Sequence, residues 1–196
     1  MVGPIRHCLL LFFAAGLLAA CETPMPVQTY PDITFDHLSV LGINVAEMEV
    51  VSTYQSPMAS PNVEYRFPVP PETALRRWAT DRLKAKGAKG SARFTILRAE
   101  VIETPLEIEE GLAGTFKTEQ SERYDAKVEA TLEILDAKGF RKAFATAHVF
   151  RSRTVGENAS ISAREQAWFS LTEALMRDFD AEMEKNIRAY VGGYLM

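Results

Sequence analysis

The sequence predicts an α/β (α+β) fold: a two-layer sandwich in which two helices cover one face of a mostly antiparallel four-stranded sheet. Three observations carry this. Tyr124, Ala126, Val128, Ala130, Leu132 and Ile134 alternate with Asp125, Lys127, Glu129, Thr131 and Glu133, the period of a strand with one buried and one wet face. Trp168, Leu171, Leu175, Phe179, Met183 and Ile187 recur at three- or four-residue spacing, which is the stripe of an amphipathic helix. Between them, Asp136-Ala-Lys-Gly139 reads as a tight hairpin leading into another alternating segment.

Taken in order, the chain opens with a targeting segment. Arg6 supplies a positive flank, and Leu9 to Leu18 form an apolar run too short for a comfortable membrane span. Leu18-Ala19-Ala20-Cys21 has the form of a bacterial lipobox. Residues 1–20 are therefore expected to be a lipoprotein signal peptide, with Cys21 the lipidation site: its thiol is acylated first and its freed amine second. Two or three acyl chains, palmitate among them, hold a protein where one would not. The plain alternative is an ordinary cleaved signal with a cysteine at that place by chance. Residues 21–31 include three prolines and little that can pack, so they read as a lipidated tether. Residues 32–196 are left for a single α/β domain.

Composition fits one domain and narrows its partners. Nearly half of the residues are apolar, enough for a core in a chain of this size. The net charge of −4 becomes one unit more negative when Arg6 leaves with the signal, which argues against nucleic acid as a partner. The two cysteines are Cys8, inside the signal, and Cys21, so the mature chain has no disulfide to stabilise it in an oxidising compartment.

From about Ile33 to Gln55 the β-branched and aromatic residues predict a first strand region. Its alternation slips near Gly42 and Glu47, as a bulge or two short strands would make it do. Five prolines between Ser56 and Pro71 require a loop. A helix is expected from Pro71 to about Lys86, burying Leu75, Trp78, Ala79 and Leu83, with Gly87 as its left-handed cap. The second strand, about Ala92 to Glu103, has apolar residues at both parities, the pattern of an interior strand. The fourth, about Phe140 to Thr154, carries Ala143, Ala145, Ala147 and Val149 on one face, where small side chains admit a close helix. Trp168, Leu171, Leu175 and Phe179 are expected to face those alanines. Ser162-Ala-Arg-Glu165 reads as a capping box for the last helix. That helix would be roughly 40 Å long and, over strands of typical length, would overhang the sheet at its C-terminal end.

Catalytic motifs are missing from the sequence. His37 and His148 have no metal-ligand spacing around them and read as ordinary, partly buried histidines. G-x-S-x-G, P-loop and G-x-G-x-x-G patterns do not occur, so the reading is not an enzyme, with no cofactor and no metal. Glu107, Glu109 and Glu110 read as a solvated turn rather than an acid/base pair, and Asn158-Ala-Ser160 is discounted as a glycosylation sequon in a bacterial chain. The candidate binding surface is the long connection from Pro105 to Gln120. Its Leu106, Ile108, Leu112 and Phe116, set among glycines, are expected to dock on a partner; the alternative is that the connection folds back on the domain or lengthens the hairpin. The tail Ile187 to Met196 either packs along the domain edge or makes a homo-oligomer contact.

The lipobox, the proline-rich tether and the order strand, helix, three strands, helix resemble the small envelope lipoproteins of Gram-negative bacteria, in particular the auxiliary lipoproteins of ABC transport systems and the lipopolysaccharide-assembly lipoprotein. The resemblance implies a non-enzymatic accessory or scaffold of an envelope transport or assembly system, held on the periplasmic side of a membrane by its N-terminal lipid and bound to an envelope protein. Glu22, where an aspartate would resemble an inner-membrane retention signal, points to the outer membrane. The rival readings are a cell-wall enzyme and a lipid carrier. A polar-ringed cavity would favour the first, a dry apolar tunnel the second and a filled core the scaffold.

Overall fold

A computed structural model describes residues 29–107 and 120–196. The signal peptide, Cys21 and most of the tether lie outside the described residues, as do Ile108, Leu112 and Phe116 of the long connection. Strand β1 (Leu41–Ile43) and β2 (Glu47–Ser52) are followed by a 3-10 turn (Glu64–Arg66), helix α1 (Pro71–Arg82) and β3 (Leu83–Ala85). Strands β4 (Ser91–Pro105), β5 (Gln120–Leu135) and β6 (Arg141–Gly156) then precede helix α2 (Ile161–Tyr190) and a closing 3-10 turn (Gly192–Tyr194).

The main sheet has the order β2-β4-β5-β6, with β2 parallel to β4 and the other pairs antiparallel. A second, two-stranded parallel sheet pairs β1 with β3. The fold class is the expected one, and the slipping alternation of the first strand region resolves into two short strands placed in different sheets.

Long strands change the expected proportions. At about 3.3 Å per residue the 16 residues of β5 and of β6 each run roughly 50 Å. Helix α2, 30 residues and roughly 45 Å, therefore does not overhang: its last turn lies beside the start of β6, where Tyr190 and Ala189 line a groove with Lys142 and Ala143. The helix runs antiparallel to β6. Its C-terminal half consequently meets the alanines, with Asn186 bonded to the Thr146 carbonyl, while Trp168 sits at the other end against Tyr124 and Phe67. This corrects the expected facing of Trp168 on Ala143.

Three boundaries also move, each for a physical reason. Helix α1 stops at Arg82 because Leu83 to Ala85 are drawn out to pair with β1. Gly87 is not its cap; its value is close approach, since a Cβ there would lie 2.3 Å from Asn44 Oδ1 and 2.7 Å from the Val45 nitrogen. Helix α2 is capped by Ser160, whose side chain accepts from the Ala163 N–H at 3.1 Å, so Ser162 is not the capping residue. In β4 the apolar residues of both parities belong to one face: a bulge between Ile96 and Arg98 shifts the phase, so Ala92, Phe94 and Ile96 and then Ala99 and Val101 are all buried, while Leu97 is exposed. The hairpin at Asp136 forms as expected, with Gly139 at φ +83° and Asp136 Oδ1 accepting from Lys138 and Phe140 N–H.

The core lies between the helices and the sheet. Trp78 of α1, Phe94 of β4 and Phe179 of α2 meet with ring centroids 5.2 to 6.4 Å apart. Arg82 is buried with them, its Nε donating to Asp180 Oδ1 at 2.9 Å and its Nη2 to Glu184, while Trp78 Nε1 also donates to Asp180. Arg188 holds Glu184 from the outside, and these hydrogen bonds and charges outweigh burial and keep the Glu184 carboxyl below its usual range. A buried guanidinium thus joins α1 to α2, its charge compensated by two carboxylates.

Candidate functional site

The hairpin formed by β4 and β5 is anchored at one end of the domain. Pro105 pairs with Glu122, and the Leu106 N–H donates to the Ser121 carbonyl at 2.8 Å, so the half-buried Leu106 continues the ladder. Below it, Glu122 receives both Arg164 Nε and Nη2 at 3.0 Å and the Tyr124 hydroxyl at 2.6 Å. This fork ties the hairpin base to the first turn of α2. Burial, reinforced by the bond to Glu122, pushes the Tyr124 hydroxyl far above its usual range, so it stays a neutral donor.

An aromatic layer underlies that fork. Trp168 stacks on Phe67 at 5.1 Å and meets Tyr124 edge-on at 5.6 Å, and the Arg66 guanidinium covers it 5.4 Å from the ring centre. Arg66 also reaches Glu103 on β4 at 3.4 Å. Among the described residues no acceptor meets the buried Trp168 Nε1–H with hydrogen-bond geometry, a local cost that the contacts of its ring offset.

The N-terminal segment reaches the same end. Tyr30 rests 5.2 Å from Phe169, and its hydroxyl donates to the Ser162 carbonyl at 3.4 Å. From there the chain runs along α1, where Asp32 meets Arg77 and the Phe35 N–H donates to Asp81. Tyr30 and the base of the long connection thus lie at the same end of the domain, beside the first turns of α2.

The sequence-derived candidates are placed only in part. Leu106 belongs to the ladder, whereas Ile108, Leu112, Phe116 and Cys21 lie outside the described residues. His37 sits in a turn and His148 on β6; both are exposed, which corrects the partly buried reading. Glu107 is exposed, and no group of three or more metal-ligating side chains occurs among the described residues. The tail packs: Leu195 bridges to Ile43, the Met196 N–H donates to the Gly42 carbonyl and Tyr194 contacts the core.

Sequence reasoning missed two buried charges. Arg82 continues the Leu75, Trp78, Ala79 stripe at helical spacing, which was the signal available for it. Glu64, 3 % exposed, had no such signal. One of its carboxylate oxygens accepts from the Tyr54 and Ser56 hydroxyls and the other from the Val101 N–H at 3.2 Å. Burial pushes this carboxyl up, but those hydrogen bonds prevail and hold it below its usual range. A pocket of about 300 Å³ lies beside it, lined by Tyr54, Ser56, Tyr65 and Glu72 among others. With both oxygens engaged by the fold, Glu64 is a structural acceptor.

No protein-family model and no curated protein matches the chain. Among solved structures it is similar to a minor lipoprotein from Acinetobacter baumannii, at 13 % identity over 75 % of this chain and 93 % of that one, with a TM-score of 0.37. Rare lipoprotein B from Shewanella oneidensis matches at 8 % identity over 71 % of this chain and 92 % of that one, with a TM-score of 0.36. PelC from Paraburkholderia phytofirmans, a dodecamer, matches at 14 % identity over 71 % and 90 %, with a TM-score of 0.22.

Proposed function

We propose that this chain is a lipid-anchored accessory or scaffold lipoprotein of the bacterial envelope, joined to the periplasmic face of the outer membrane through Cys21 and acting by binding an envelope protein rather than by catalysis. The observation that carries the reading is the convergence of Tyr30, on the path from the lipobox cysteine, with the braced base of the long connection at one end of the domain. The interior supports a scaffold over a carrier or an enzyme, because Trp78, Phe94, Phe179 and Leu132 occupy the space between helices and sheet. Leu106, Ile108, Leu112 and Phe116 are the docking side chains in this reading.

Two measurements test it. Mass spectrometry of the mature N-terminus should find a triacylated or diacylated Cys21, and Cys21→Ser should move a folded domain to the soluble periplasmic fraction. An unmodified terminus beginning elsewhere overturns the anchoring. Replacing Leu112 and Phe116 by serine should leave the melting temperature unchanged and abolish crosslinking to the envelope partner. A marked fall in melting temperature with crosslinking intact assigns those residues to structure instead.

A further inference from the structure

We propose that the open edge of β6, with the groove between its start and the last turns of α2, accepts an extended acidic segment of another protein as a fifth strand. This goes beyond the anchoring reading and does not depend on it. Among the described residues strand β6 pairs only with β5 in the main sheet, so one side of a 16-residue strand is an edge. The Thr146 carbonyl faces that edge, because Asn186 Nδ2 donates to it at 2.8 Å from α2. In an antiparallel strand the N–H and C=O of one residue point the same way and alternate along the chain. The ladder with β5 is regular here, so Phe144, His148, Phe150 and Ser152 also turn their backbone groups outward. Such a row is a template for strand addition.

The surroundings are shaped for an extended chain. A groove of about 710 Å³ runs beside the edge, with Ala143 and Ala145 on the strand side and Ala189 and Tyr190 on the helix side. Phe144 and Phe150 are each about half exposed on the outer face, ready to flank side chains of an added strand.

Charge selects the occupant. Strand β6 carries Arg141, Lys142, Arg151 and Arg153 and no acidic residue, in a chain whose net charge is −4. Arg141, Lys142 and Arg151 lean on Glu133, Asp136 and Asp178 but remain about half exposed, and no ion pair engages Arg153 among the described residues. A second copy of β6 would bring cations against cations, which disfavours self-pairing. These cations sit at the two ends of β6, and Glu182, which lines the groove, is engaged by Lys185 and Asn186, so an acidic strand meets complementary charge at both ends of the edge.

The test uses the full chain in detergent micelles and three short synthetic peptides: one alternating valine or threonine with glutamate, the same with lysine for glutamate, and the acidic one with a central proline. The acidic peptide should slow amide exchange at Phe144, His148 and Phe150 about tenfold or more, and its binding should weaken with salt. Lys142→Glu combined with Arg153→Glu should reduce its affinity at least about tenfold. His148→Pro removes an outward N–H, so it should abolish binding while the ladder with β5 stays whole. If His148→Pro does not fold, the double charge reversal decides. Equal binding of the lysine or proline peptide, or no slowing with the acidic one, overturns the proposal. Slow exchange on β6 that appears without peptide and grows with protein concentration also overturns it, in favour of a second copy.

Discussion

The two edges of the main sheet are finished in opposite ways. Strand β2 covers only part of β4, its pairing ending at Ser52 opposite Ile96. Beyond that point the proline-rich loop takes over: Asn62 bridges to Ile102, the Val63 N–H donates to the Val101 carbonyl, and the Glu103 N–H donates to the Pro61 carbonyl. The Val101 N–H, within this irregular stretch, goes to Glu64 Oε2. A side chain thus stands in for a backbone carbonyl, and the edge is sealed where prolines prevent a regular strand. Among the described residues strand β6 has no such backbone cover. Cationic side chains flank it, and one amide from α2 engages the Thr146 carbonyl. The difference separates an edge that belongs to the core from an edge that can take a partner.

Removing Glu64 should disturb the sealed edge most. Glu64→Ala leaves the buried Val101 N–H and two hydroxyls without an acceptor, so a loss of about 3 kcal/mol is expected in chemical denaturation. Glu64→Gln gives a finer reading. Because the folded carboxyl is held below its unfolded value, its contribution is fully present above the unfolded pKa and disappears as pH falls through the lower, folded one. The parent should therefore lose stability in acid over that window, and the glutamine variant should show a shallower slope there.

At the open edge an intermediate effect is expected from filling the groove floor. Ala145 is buried where the C-terminal half of α2 crosses β6, and Ala145→Phe should overpack that contact by about 1–3 kcal/mol. Thermal melting checks this, and an unchanged midpoint would mean that helix and strand are not in close contact there. The smallest effect belongs to Arg151→Ala. Its pair with Asp178 is about half exposed, and exposed pairs contribute little, so the melting temperature should stay within experimental error. A clear drop would make the guard of the open edge as structural as the seal of the other.

How much of this was readable in the sequence depends on whether the deciding contact is local. Strand β5 was legible because one buried face imposes strict alternation on Tyr124 through Ile134. The stripe of α2 was legible for the same reason at helical period. Strand β4 is interior as read, between β2 and β5, but its apolar residues of both parities come from the bulge at Leu97, which reverses parity midway so that one face looks like two. The end of α1 was set by β1, forty residues earlier in the chain, and propensity alone would have let the helix continue. Glu64 and Arg82 could not be assigned as buried charges, because their partners come from β4 and the loop in one case and from α2 in the other. At the candidate site, the proposed lipobox is a contiguous motif, Leu18 to Cys21, that lies outside the described residues. The meeting of Tyr30, Glu122 and Arg164 at one end is a product of topology.

With Cys21 as the proposed anchor, that meeting puts the tethered end of the domain at the start of α2. Tyr30 sits at the first turn of α2, while Leu195 and Met196 are stitched to β1 beyond its last turn. Between them stands a rod of 30 residues, roughly 45 Å long. Under the proposed anchoring, nine residues of leash give Tyr30 a reach of at most about 30 Å from the lipid. The carboxyl terminus then becomes the far end of a mast. A fluorophore attached there should transfer energy poorly to acceptors in the bilayer headgroups, whereas one placed near Ser162 should transfer it well.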